Sequence, residues 1–342
     1  MLHWSSRTLS RRAINAVAPL FSPAKNSVYQ APDLARAVLA ICLNCASAER
    51  STRPSPDTVL RRLGQIDERG LREILERENR KLLGKLNLPL RPVMALDCRT
   101  LPYYGEDQPC LVSDSRLPGT NRGVCFAMLS VVEAGRTFVL RVQQVTPFDT
   151  AVGVLRSMLA GLPHKPRLLL LDRGFYSVEV VLELKSMGVH FLMPAPRTPG
   201  IKRAIEEFEH GERPALSEYT IRGRGEAKVW LMLRRKRTEQ GWRTYAFISD
   251  LPFDPETAAE LYGCRWRIET NNREVKRFLA LTTSRDMKLR RVYYWLAAFL
   301  YNLWIALRCL LGRLTKHEFK HEMLGFLSSQ PRTLGWIKPP PE

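Results

Sequence analysis

Two runs limit the architecture of this chain more than any others: Val93-Met-Ala-Leu-Asp97 and Arg167-Leu-Leu-Leu-Leu-Asp172. Each is a short apolar stretch of strand length that ends in a carboxylate. A strand without polar alternation is buried on both faces, so helices must cover both sides of its sheet. Gly123 to Glu133 and Thr137 to Val145 alternate as antiparallel neighbours of the first run. A helix follows from about Thr150 to Leu162, then the second run, a helix from Ser177 to Met187 and a strand from His190 to Pro194.

Three strands, helix, strand, helix, strand and helix is the order of a ribonuclease H-like core. The expected fold is therefore α/β, a mixed five-stranded sheet with helices on both faces. In that order Asp97 closes the first strand and Asp172 the fourth, so both carboxylates lie side by side at the carboxyl edge of the sheet, where open α/β sheets place their sites. Beyond the fifth strand the pattern changes. Residues 201–243 contain strand-like runs at Leu216 to Ile221 and Lys228 to Leu233 around Arg222-Gly-Arg-Gly225, a β-rich insertion, and Tyr245 to Ser249 reads as a last strand leading back to the core.

Asp254-Pro255 then starts a helix, with a side-chain acceptor at the N-cap and a proline that gives up no needed N–H in the first turn. The periodicity predicts one helix from 255 to about 279. Leu261, Cys264, Ile268, Val275 and Leu279 fall on its apolar face. Beside that face, Tyr262, Glu269 and Lys276 are spaced by sevens and Arg265 sits between the first two, holding one carboxylate among cations and a ring. A solvated ion-pair stripe has the same spacing.

Tyr262, Arg265, Glu269 and Lys276 resemble the Tyr-x2-Arg-x3-Glu-x6-Lys signature of the DDE transposases of prokaryotic insertion sequences, in the insertion-sequence-four superfamily. Asp172-Arg-Gly-Phe-Tyr176 is similar to that family's second acidic motif, and Ala95-Leu-Asp97 with Thr100 to its first. The likeness spans about residues 90 to 312. It implies Asp97, Asp172 and Glu269 as catalytic, metal-holding acids, with Tyr262, Arg265 and Lys276, joined by Arg173, on DNA phosphates. The separations are 172 − 97 = 75 and 269 − 172 = 97. The second is too long for the minimal fold, and the superfamily carries its β-rich insertion at this point.

Three carboxylates close together raise one another's pKa unless cations neutralise them. Hard oxygen ligands without His or Cys imply Mg²⁺, with Mn²⁺ as a substitute, and two ions suit in-line displacement at phosphorus. Trp230 and Trp242, in the insertion, are candidates for stacking an extruded base or for insertion core. The reading that results is a transposase that cuts at its element's ends and joins them to target DNA. A ribonuclease H-like nuclease that cuts without joining, and a domesticated DNA-binding protein that has lost catalysis, are the rivals.

Charge agrees. With 53 Lys and Arg against 34 Asp and Glu, the net +19 favours a polyanionic partner, nucleic acid before membrane. The expected partners are double-stranded DNA, at terminal inverted repeats and at target, and a second copy of the chain to bring two ends together. The expected location is the cytoplasm, at the nucleoid. Seven cysteines fit a reducing compartment, and Cys42-x-x-Cys45 reads as core packing in an apolar helix.

The domain reading is 1–88, a helical DNA-binding region; 89–200, the first part of the core; 201–243, the insertion; 244–285, the rest of the core; and 286–342, a helical carboxyl-terminal region. Within the first, Met1 to Pro32 lacks acids and carries Arg7, Arg11, Arg12 and Lys25. A transit peptide and a DNA-contacting arm share that composition, and the DNA signals downstream favour the arm. Helices over Asp33 to Ala46, Ser55 to Leu63 and Ile66 to Leu83 suit either a helix-turn-helix with Arg61 and Arg62 or a plain helical cap. Val292 to Leu311 is long and apolar enough for a membrane span, but Asn302 and Arg308 make it a core helix instead. His317-Glu-Phe-Lys-His321 satisfies a zinc-protease pattern without a third ligand or enough chain for a cleft. A solvated basic helix, followed by Pro339-Pro-Pro341, is the better reading.

Overall fold

A computed structural model describes residues 6–328 apart from Thr52, Asn87, Ala134, Gly135 and Pro163. The first five residues of the basic amino-terminal stretch, and Pro339-Pro-Pro341 with the rest of the chain beyond 328, lie outside the described residues. Four helices come first: α1 (Ser6–Val17), α2 (Ala31–Leu43), α3 (Pro56–Gly64) and α4 (Glu68–Leu83). Then come β1 (Val93–Pro102), β2 (Val112–Ser113), β3 (Arg122–Glu133), β4 (Arg136–Val145), α5 (Ala151–Leu159), β5 (Leu168–Leu171), α6 (Val178–Ser186) and β6 (Phe191–Pro194). The remainder is α7 (Pro199–Glu209), β7 (Leu216–Gly223), β8 (Gly225–Thr238), β9 (Gly241–Ser249), α8 (Pro255–Gly263), α9 (Trp266–Lys276), α10 (Met287–Leu311) and α11 (Lys316–Ser328).

Among the described residues the strands make one nine-stranded mixed sheet. The five core strands lie at its heart in the order β4-β3-β1-β5-β6, with β1, the expected neighbour of β5, parallel to β5 and β6, and β3 and β4 antiparallel. The insertion strands do not form a separate sheet. β9 pairs antiparallel with β6, and β8 and β7 follow, so the core sheet simply continues. The insertion also opens with a helix, since α7 carries the chain out of β6 before β7 begins. Gly225 (φ +121°) makes the tight β7–β8 reversal that a side chain would resist.

Strand alternation assigns the two faces. Val93, Ala95, Leu168 and Leu170 pack under α9 and α10, while Met94, Leu96, Leu169 and Leu171 pack under α5 and α6. By the same alternation Asp97 and Asp172 fall on the α9 face. Asp97 does not close its strand, as the sequence suggested. β1 runs five residues further, because β3 is long enough to pair it through Pro102↔Gly123. What ends near Asp97 is the parallel pairing with β5, at Leu96↔Leu171. The two aspartates are the next residues along these neighbouring strands.

Helix α10 is long and apolar enough to cross a membrane, and most of its apolar length is buried within the fold. Asn302 explains one polar interruption. Its amide donates to the Val139 carbonyl at 2.7 Å and to Asn79 Oδ1 at 3.0 Å, and its oxygen accepts from the Val139 N–H at 2.8 Å. It thereby satisfies a main-chain pair of β4 beside the irregularity at Leu129/Ser130 in the β3–β4 ladder. The segment read as a basic arm is helical over Ser6–Val17, with Ala13, Ile14, Ala16 and Val17 buried and Arg12 against Glu78. Cys42 is core, its thiol pushed up by burial, and Cys45 bonds the Arg277 carbonyl from a left-handed turn (φ 49°) that ends α2. His317 and His321 are exposed on α11, and among the described residues no group of three or more His, Cys, Asp or Glu is placed to hold a metal ion.

Candidate active site

The helix predicted over 255–279 is two helices. From Leu261 to Ile268 the main chain changes to three-residue spacing, with Cys264, Arg265, Arg267 and Ile268 donating to Leu261, Tyr262, Cys264 and Arg265. This tightened turn follows Gly263, a poor helix former. It projects Arg265 toward the sheet edge. The Arg265 guanidinium lies 3.2 Å from Asp97 Oδ1, 2.8 Å from Glu269 Oε1 and 5.5 Å from the centre of the Tyr262 ring. Tyr262 packs in turn on Phe247 of β9, 5.4 Å between ring centres. Four of the residues singled out from sequence thus meet at one place, and Asp172 faces the same group.

The electrostatics identify the cluster as more than an ion pair. Asp97 is 7% exposed. Burial first, then Asp172 and Glu269, push its carboxyl up to about 6 against the opposing pull of Arg265. Burial works against the charge on Arg265, yet Tyr262, Asp97, Asp172 and Glu269 together hold its pKa above the usual guanidinium range. Burial also raises the Tyr262 hydroxyl. The site holds more negative charge than one arginine cancels.

Sequence reasoning missed Asn272, which donates to Asp97 Oδ2 at 2.9 Å and whose own Oδ1 is buried without a partner. Its neighbour Asn271 accepts from the Tyr301 hydroxyl at 2.7 Å. Two successive asparagines inside a helix were the available signal, since asparagine is chosen there for a bond rather than for propensity. Asp172 caps a short 3-10 turn, accepting from the Arg173 N–H at 2.7 Å.

A cavity of about 530 Å³ opens beside the cluster, reached by Asp172 and Arg265 but not lined by Asp97 or Glu269. Its walls include Asp172, Arg173, Arg197, Arg234, Lys236, Arg243, Tyr245, Tyr262, Arg265 and Trp266. Trp266 is 67% exposed. The two insertion tryptophans are elsewhere: Trp230 is half-buried on β8 opposite Ser249, and Trp242 is exposed near the β8–β9 turn under Arg235, 5.3 Å from its ring centre. Neither lines this cavity. Lys276 does not join Glu269. It lies further along α9, half-buried, lining a second cavity of about 580 Å³ with Leu101, Val124, Phe126 and Arg290.

A sequence-family match to the transposase DDE domain covers residues 126–303, which include Asp172 and Glu269 and begin beyond Asp97. The chain belongs to the DDE transposases. No curated protein sequence matches it. Among solved structures its fold is similar to a piggyBac transposase, seen by cryo-electron microscopy in a synaptic complex with hairpin DNA. That similarity has a TM-score of 0.62 at 11% identity, over 96% of this chain and 81% of that one.

This family's dependence on divalent ions can be tested against the residues present. Asp97, Asp172 and Glu269 offer hard oxygen donors, the orphaned Oδ1 of Asn272 lies beside them, and Asp97 stays raised despite Arg265. Donor chemistry and charge suit a hard divalent cation, although, among the described residues, the three acids are not already placed as a ready-made metal site. In the arrangement described, the guanidinium of Arg265 fills the gap between Asp97 and Glu269.

Proposed function

We propose that this DDE transposase belongs to the insertion-sequence-four superfamily of prokaryotic insertion sequences, and that it cuts DNA at its element's ends and joins them to target DNA. The observation that carries the reading is the convergence of Asp97 from β1, Asp172 just past β5 and Glu269 from α9 on a single arginine, with Asp172 and that arginine in the wall of a basic cleft. A structurally similar transposase engaged with hairpin DNA supports DNA as the substrate. The net charge of +19 supports it independently.

Asp97, Asp172 and Glu269 would hold Mg²⁺, or Mn²⁺ in its place, as two ions. When bound, such ions stabilise the attacking and leaving oxygens of an in-line displacement at phosphorus. The remaining work falls to side chains. Arg265 must leave the gap between Asp97 and Glu269, and a DNA phosphate offers it an anion of equal appeal, bound in the bidentate way guanidinium favours. Tyr262 and Phe247 fix the plane from which Arg265 moves. Arg173 and Lys276 hold backbone phosphates on either side, which positions the strand without reading its sequence. Asn272 fixes the orientation of the Asp97 carboxylate.

On this reading the protein works in the cytoplasm at the nucleoid, as a homodimer that brings two terminal inverted repeats together. Residues 1–88 serve in end recognition. Purified protein with pre-cut terminal repeat DNA and Mg²⁺ provides the test. Joined products support transposition, nicks without joining support a nuclease, and a mobility shift without chemistry supports a DNA-binding protein.

A further inference from the structure

On β1, Asp97, Arg99 and Leu101 share the face covered by α9. Arg99 pairs with Phe126 and Leu101 with Val124 across the β1–β3 ladder. Phe126, Val124 and Leu101 also line the 580 Å³ cavity that holds Lys276. Asn272 meets Asp97, so Lys276, one helical turn later, comes opposite Arg99.

The two cations face each other without a carboxylate. Among the described residues neither has a hydrogen-bond or ion-pair partner, whereas four cations around them are engaged. Arg265 is held by Asp97 and Glu269, Arg267 by the Val132 carbonyl, Arg290 by the Thr282 and Ser284 carbonyls, and Arg291 by Glu68. Burial, then Arg99, lowers the pKa of Lys276, as expected of an ammonium beside a like charge. Beneath them Tyr294, stacked on Phe126 at 4.1 Å, is fully buried and its hydroxyl has no partner. Arg99 and Asp97 are the charges that act on that hydroxyl. Lys276 lines the cavity and Arg99 meets it from β1, outside that lining; two like charges brought together without a counter-charge leave a place for an anion to bridge them.

We propose that Arg99 and Lys276 together grip a single backbone phosphate of the DNA strand as it leaves the acids for the cavity between β1 and the 279–283 segment, making Arg99 a substrate-positioning residue. This rests on the transposase reading above, and it gives the site two basic sides. The Arg173 cleft takes the strand on one side of the acids, and the Arg99–Lys276 pair takes it on the other.

The experiment uses the full chain, Arg99→Gln, Lys276→Gln and the double variant, with a nicked linear duplex titrated over a range of salt. One shared phosphate predicts that the double variant loses about 0.9 from the slope of log affinity against log salt. A double variant that loses about 1.8, the value for two separate phosphates, overturns the shared grip. A methylphosphonate placed in turn at each position near the nick should find one position where neutralisation weakens the wild type and leaves the double variant unaffected. Arg99→Gln should not lower the thermal midpoint, because it removes a like charge; a lowered midpoint would mean a structural role and overturn the proposal. Arg99→Gln leaves Lys276 on the shared phosphate, so its salt slope should hold while its affinity falls at every salt concentration; an unchanged affinity, with wild-type binding intact, refutes this inference alone. If the wild type binds no DNA at all, the transposase reading falls first. Inorganic phosphate supplies an arm independent of DNA: its ³¹P line should broaden with wild type and lose part of that broadening in both single variants. Equal broadening in all of them counts against the pair.

Discussion

Asp97→Asn should make this protein more stable at neutral pH while ending cleavage. Burial, Asp172 and Glu269 push the native carboxyl from 3.8 up to about 6, with Arg265 opposing. Between those values the folded protein keeps a proton that the unfolded chain has released, so raising the pH across that interval destabilises the fold. Above about pH 6 the penalty is complete. Two pKa units correspond to about 3 kcal/mol. The neutral amide escapes that penalty, which is already net of the pull of Arg265 on the charged form. Asn272 can turn its amide so that its unpartnered Oδ1 accepts from the new side chain. The net expectation is a gain of about 3 kcal/mol at pH 8 that has largely gone by pH 4. Urea denaturation of both proteins across that range measures it. Millimolar Mg²⁺ should narrow the gap at pH 8 by stabilising the wild type selectively. A variant less stable than wild type at pH 8, or a difference that does not change with pH, would refute the account of the site as an over-charged acidic cluster.

Other substitutions test neighbouring parts of the argument. Asp172→Ala and Glu269→Ala should each abolish strand cleavage and leave DNA binding near the wild-type level; cleavage retained by either one removes that residue from the site. Arg265→Gln takes the only cation from between Asp97 and Glu269, so its loss of stability should be larger at pH 8 than at pH 5, when Asp97 is largely protonated. Equal losses at both pH values would place the role of Arg265 in packing. Asn302→Leu strands the Val139 main-chain pair and Asn79, and should cost roughly 3 kcal/mol or more by thermal denaturation. A loss below about 1 kcal/mol would mean that water replaces the amide.

The sequence makes the sheet order and the two aspartates readable because apolar runs of strand length leave little choice of burial. Glu269, Arg265 and Tyr262 were readable from helical spacing. The continuation of β1 past Asp97 was not, since Cys98-Arg-Thr-Leu-Pro102 has mixed polarity and is a strand only because β3 is there to pair it. That same extension hides the placing of Arg99 beside Lys276. The kink at Cys264 and Arg265 was masked by a stripe that matched an unbroken helix. Trp230 and Trp242 drew attention by lying in the insertion, but strand pairing puts Trp242 opposite Arg237 on the other face, and Trp230, on the same face as Arg234 and Lys236, lies further along β8, outside the cleft that Trp266 borders. Asn272 needed its partner in view, because a polar residue in a helix does not announce what it will bond.

Because β9 and β8 are hydrogen-bonded onto β6, and β6 onto the strand that leads into Asp172, the wall bearing Arg234, Lys236 and Arg243 is coupled to the acids through continuous main-chain ladders. That jaw of the cleft behaves as an anvil. Any gripping or release of DNA must come from the opposite side, where α8 and α9 meet at a joint of shortened turns. Stiffening that joint should slow turnover more than any change to the strands, and product departure would be timed by a hinge only a few residues long.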